Sequence, residues 1–120
     1  MWPSEGALRA RWLMAGHNHM AVRITDSGGG VYFEKAWLFT KPSIKKAAKR
    51  YPEINKMIEL VVLPAFNDLI MGLPANDSME DNLSPLFRSG VFGYKNGTLF
   101  SLMGDILGTP KSLAKTRKAI

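Results

Sequence analysis

Apolar and polar positions alternate in two parts of this 120-residue chain and recur at helical spacing in the stretch between them. In residues 21–25, Val22 and Ile24 fall on one side and Arg23 and Thr25 on the other, the period of a half-buried strand. Val31 to Phe39 resumes as a run rich in β-branched and aromatic residues, which favour strands. Val31, Phe33, Trp37 and Phe39 share one parity with Lys35, while Tyr32, Glu34, Ala36 and Leu38 share the other. Asp26-Ser27-Gly28-Gly29-Gly30 lies between the two runs. Glycine tolerates the positive φ of a tight reversal, so the pattern predicts an antiparallel hairpin.

The period then changes. Thr40 reads as an N-cap, with Pro42 tolerated in the first turn. Ile44, Ala47, Ala48 and Tyr51 form one apolar stripe at i, i+3, i+4, i+7, and Lys45, Lys46, Lys49 and Arg50 fill the opposite arc. Pro52 ends this helix near Tyr51 and opens a second one. The second carries Ile54, Met57, Ile58 and Val61 on a stripe, with Leu60, Val62 and Leu63 apolar on other sides. That breadth marks Leu60, Val62, Leu63 and Phe66 as core or interface residues. Pro64 removes a helical hydrogen bond and divides off a third piece ending at Met71 and Gly72.

Residues 73–90 read as a polar connector, with Asp77 and Glu80 spaced as a capping box and Ser84-Pro85 as the start of a single turn. Val91 to Tyr94 and Thr98 to Met103 flank Lys95-Asn96-Gly97, and Asn-Gly between β-prone runs predicts a second hairpin. Residues 104–108 read as leaving the sheet, and Thr109-Pro110 as opening a basic C-terminal helix or tail. The expected fold class is α+β: two β-hairpins packed on a central kinked helical segment, with that basic helix or tail. The expected organisation is a loosely ordered extension over 1–20, one α+β domain over 21–108 and the basic segment over 109–120.

Composition narrows the chemistry. At 46% hydrophobic and 22% charged the chain is globular material. It has 0 cysteines, which excludes disulfides, thiolate metal sites and cysteine catalysis and fits a reducing, cytoplasmic location. Its apolar runs fall short of the ~18 residues of a membrane span, and the N-terminus lacks a signal-peptide core.

The net charge of +6 is distributed unevenly. Residues 41–50 contribute five positive charges and residues 109–120 four, while the remainder holds 7 basic and 10 acidic residues. Such local clusters suit phosphate contacts. The expected partner is therefore nucleic acid or another acidic molecule, met by Lys41, Lys45, Lys46, Lys49 and Arg50 and by Lys111, Lys115, Arg117 and Lys118. Aromatic interleaving for single-strand stacking is thin around these clusters, with Tyr51 on the apolar arc and Tyr94 beside the second turn. The alternative is a protein-interaction or homo-oligomerisation module using the apolar helix 52–71.

No catalytic residue, metal site or cofactor is expected. A Ser-His-Asp arrangement would have to use His17 or His19, and that i, i+2 pair has no suitably spaced carboxylate. Glu34, Glu53, Glu59 and Asp68 are ordinary surface carboxylates in their spacing. Neither the 28–30 glycines nor the run 104–112 meets the requirements of a phosphate-binding loop. One enzyme class is nevertheless suggested by KKAAKRYPEI, Leu73-Pro74 and Gly93-Tyr94-Lys95. The order of lysine-rich helix, second helix, Leu-Pro connector and strands resembles the small ribosome-dependent ribonuclease toxins of the RelE/ParE superfamily. The resemblance covers about half the chain and implies ribonuclease activity.

Overall fold

A computed structural model describes residues 4–64, 73, 74, 87 and 91–113, with the side chains of 17–19, 73 and 74 excepted. The fold is built around a hairpin whose two arms splay apart and admit a third strand. Strand β1 (Trp12–Thr25) and strand β2 (Val31–Thr40) pair antiparallel from Thr25↔Val31 to Ala21↔Lys35. Their turn is held by Asp26, whose Oδ1 accepts hydrogen bonds from the backbone N–H groups of Gly28 (2.9 Å) and Gly30 (2.8 Å). Gly29 sits at φ 85°, which a β-branched residue would resist. The expected first hairpin is therefore present. Its first strand, however, extends back to Trp12, through residues read as an extension.

Beyond the paired section, strand β3 (Glu59–Pro64) lies between the arms. It runs parallel to β1, with Leu13↔Leu60 and Ala15↔Val62, and antiparallel to β2, with Leu38↔Val62 and Thr40↔Leu60. A register irregularity between Ala15 and Met20 lets β1 change partner. Strand β4 (Leu73–Pro74) adds to β1 at Met20 and Ala21. Strand β5 (Thr98–Ser101) pairs with β2, and strand β6 (Ile106–Gly108) with β5. The result is one six-stranded mixed sheet in the order β4-β1-β3-β2-β5-β6.

This overturns the expected pair of hairpins on a central helical segment. Residues 59–64 are a strand, not a helix. The run Leu60-Val61-Val62 is buried on both faces, and a central strand covered on both sides reads as a continuous apolar stretch without alternation. The apparent helical stripe fails at Met57, which is 61% exposed. Residues 51–58 form two successive turns instead, closed by Ile54 N–H to Tyr51 O (3.1 Å) and Ile58 N–H to Asn55 O (3.0 Å).

The second hairpin is also differently built. The Asn-Gly turn exists, with Gly97 N–H donating to Tyr94 O at 3.1 Å, but residues 91–94 do not pair with β5. Phe92 bridges Pro42, Ser43 N–H donates to Val91 O at 2.7 Å, and Thr40 Oγ1 donates to Gly93 O. The hairpin partner of β5 is β6, so residues 104–108 return to the sheet rather than leave it. Their turn is fastened by the Ser101 hydroxyl, which accepts from Met103 N–H (3.2 Å) and Asp105 N–H (3.1 Å), with Gly104 at φ 92°.

The helices are short. Helix α1 (Glu5–Leu8) is capped by Ser4 Oγ, which accepts from Ala7 N–H at 3.2 Å, and buries Leu8 completely. Helix α2 (Ile44–Arg50) starts after Ser43 rather than Thr40, and its buried residue is Ala47. A last helical turn at 110–113 begins where Thr109-Pro110 predicts. Ser112 N–H donates to Thr109 Oγ1 and Thr109 N–H to Ser112 Oγ, both at 3.0 Å, a reciprocal cap.

The core lies on one face of the sheet. Met20, Val22, Ala36, Leu38, Leu60, Val62 and Leu99 meet Leu8, Ala47, Tyr51, Ile54, Ile58, Phe87, Phe92 and Tyr94 there. The third helical piece over 65–71, the connector signals at Asp77, Glu80 and Ser84-Pro85, and the tail beyond 113 lie outside the described residues.

Candidate functional site

Helix α2 carries the first basic cluster. Burial of Ala47 against the sheet and Tyr51 just beyond the helix leaves Lys45, Lys46, Lys49 and Arg50 exposed, with Lys41 exposed before it. Arg50 also lies over the Tyr51 ring, 5.9 Å from its centroid. The lysines keep their charge in water while the helix is anchored by its small apolar stripe. Ala48, expected on that stripe, is exposed.

Of the second cluster, Lys111 is described, and its backbone ties it to the segment that also meets the residues before α2. Lys111 N–H donates to Lys95 O at 3.1 Å, fixing the 110–113 turn to the 94–97 turn. The same connecting segment is bonded to the N-cap of α2 through Val91 and to the end of β2 through Gly93, as described above. Sequence-distant basic stretches thus attach to one segment, with Lys41, Lys95 and Lys111 all exposed. Lys115, Arg117 and Lys118 lie outside the described residues.

A cleft of about 430 Å³ opens where β2 runs into α2. It is lined by Phe39 and Thr98 on the sheet side, by Lys41 and Ser43 on the helix side and by Asn96 on the turn. Glu59 adds an acid to its lining.

The expected interface residues are placed differently. Leu60 and Val62 are 0% exposed within the chain's own core, Leu63 is half-buried on the other face of the sheet, and Phe66 lies outside the described residues. Leu60 and Val62 therefore have no surface to offer a partner.

That other face holds residues the sequence reading assigned no function. Trp12 and Met14 on β1, Phe33, Trp37 and Phe39 on β2, and Phe100 on β5 share it. Trp12 is 51% and Phe33 39% exposed, and the others apart from exposed Met14 are half-buried. Phe39 and Phe100 meet edge to face with centroids 5.1 Å apart. Arg23 opposes Phe33 and Lys35 opposes Ala21 on this face, and the Arg11 guanidinium lies 5.6 Å from the Trp12 ring centroid. The shared parity of Phe33, Lys35, Trp37 and Phe39 was the available signal.

Among the described residues no group of three or more His, Asp or Glu side chains gathers to hold a metal ion. His17 and His19 belong to β1 by backbone, and their side chains are not described. No described helix is long and apolar enough to cross a membrane. The element order behind the ribonuclease-toxin resemblance loses its second helix, because 59–64 is strand β3, and Tyr94 is buried against Phe87 at 5.8 Å between centroids. No protein-family model matches the chain, and comparison with curated proteins and with solved structures yields no match.

Proposed function

We propose that this protein binds nucleic acid through phosphate contacts made by the exposed face of α2 and by the basic segment that starts at Lys111. The observation that supports the reading is that the residue before α2 and Lys111 are both bonded to residues 91–97, through Ser43–Val91 at 2.7 Å and Lys111–Lys95 at 3.1 Å. Charges held on one scaffold act on a polyanion together, because each neutralised phosphate releases counterions. Lys41, Lys45, Lys46, Lys49 and Arg50 supply five cations within ten residues. Contacts of this kind give affinity and orientation without reading sequence.

Replacing Lys45, Lys46, Lys49 and Arg50 together by Gln tests the reading. All four are exposed, so circular dichroism should be unchanged. Affinity for a labelled oligonucleotide should fall by about ten-fold or more at moderate salt. Wild-type affinity in this variant would refute the assignment to α2.

A further inference from the structure

We infer that the face of the sheet opposite α2 is a stacking platform for the bases of a single-stranded nucleic acid. The inference rests on the nucleic-acid reading above and adds the class of strand. Its ground is the distribution of rings and charges. In a β-strand alternate residues share a face about 6.7 Å apart, so Phe33, Lys35, Trp37 and Phe39 form a row of three rings and one cation along β2. Phe100 pairs beside Trp37, and Arg23 beside Phe33.

No described element covers this row, and Trp12 and Phe33 present 51% and 39% of their surface to solvent. Partly exposed rings with Lys35 among them and Arg23 beside them provide both parts of single-strand recognition: π-faces for any base and positive charge for the backbone. A duplex keeps its bases stacked inside and cannot use the rings. The charge of the face also argues against a second copy of the chain as its occupant. Arg23 and Lys35, set against Glu59, give the face a positive balance, so two copies would bring like charge together in a chain of net charge +6.

The cleft at the end of β2 supplies the path between the two surfaces. Phe39 and Thr98 on its wall belong to the aromatic face, while Lys41 and Ser43 lead to α2. A strand stacked along β2 leaves through this cleft and brings its phosphates to the basic helix. Glu59 in the lining favours bases over phosphates at that point.

The test compares oligothymidylate with a duplex of the same length, using wild type, the four-Gln variant of α2 and a Trp12→Leu, Phe33→Leu double variant. Wild type should bind the single strand about ten-fold or more tightly than the duplex. The leucine variant should lose about ten-fold or more of its single-strand affinity, with duplex binding and salt slope unchanged. Restoring rings with Trp12→Phe, Phe33→Tyr should recover binding, which separates stacking from a folding defect.

Equal affinity for the two forms, or a leucine variant that binds as wild type, overturns the platform. So does a leucine variant that changes only the mass in solution, because the face would then join copies of the chain. If only the four-Gln variant loses affinity, the phosphate reading stands without the platform. If only the leucine variant does, the platform stands without α2. Absence of binding to either nucleic acid refutes both.

Discussion

Asn55 shows how much of this fold depends on single side chains in turns. Its Nδ2 donates to Arg9 O (3.3 Å) and Ala10 O (3.2 Å), and its Oδ1 accepts from Met57 N–H at 2.9 Å. Its backbone N–H donates to Leu8 O at 2.9 Å, and Glu59 N–H to Arg11 O at the same distance. The residue therefore fastens the N-terminal segment to the turn that starts β3, and sets the register in which β1 receives that strand. Arg9 and Glu53 add an ion pair at 2.7 Å between side chains 57% and 75% exposed, a contribution of little weight in water. Asn55→Ala should lower the unfolding free energy by about 1–2 kcal/mol, since net contributions of such bonds are near 1 kcal/mol each and these are partly solvated. Urea denaturation measures it, and an unchanged midpoint would show that buried Leu8 and the backbone bonds hold the segment without the Asn55 side chain.

The central element is β3, and it explains what was legible in the sequence. The β1–β2 hairpin was legible because alternation, a glycine-rich reversal and β-branched residues all agree, and the basic arc of α2 because lysine spacing follows the helix period. The strand over 59–64 was not, because a central strand buried on both faces has no alternation to display, and Ile54, Ile58 and Val61 fall at helical spacing by coincidence. Nor did parity reveal which face of β2 is the core. The face carrying Ala36 and Leu38 took the helices, and the one carrying Trp37 and Phe39 stayed partly open. The Asn-Gly turn was readable, but the partner of β5 was not, since local turn chemistry does not say that residues 91–93 bond along residues 40–43, between β2 and α2. Val62→Lys tests the placement of β3. At 0% exposure an ammonium there has neither water nor a counter-charge, so the variant should lose its β-sheet circular dichroism. A folded variant with altered oligomeric mass would instead mean that Val62 faces a partner.

At the scale of the whole molecule, the sheet separates two surfaces of different chemistry. One is the cationic face of α2, which is held away from the sheet by Ala47 and Tyr51. The other is the aromatic face, where Phe33, Lys35, Trp37 and Phe39 set three rings and one cation along β2. The cleft beside Lys41 and Phe39 joins them. We propose that the cationic surface contacts phosphates, and salt dependence is the most immediate test. Lys41, Lys45, Lys46, Lys49, Arg50 and Lys111 are the exposed cations assigned to this surface among the described residues. If all contact single-strand phosphates, the logarithm of affinity falls against the logarithm of salt with a slope of about −4. Wild type should show that steep slope, reduced by about 3 when Lys45, Lys46, Lys49 and Arg50 become Gln. A flat dependence, or a slope the four substitutions leave untouched, would contradict it.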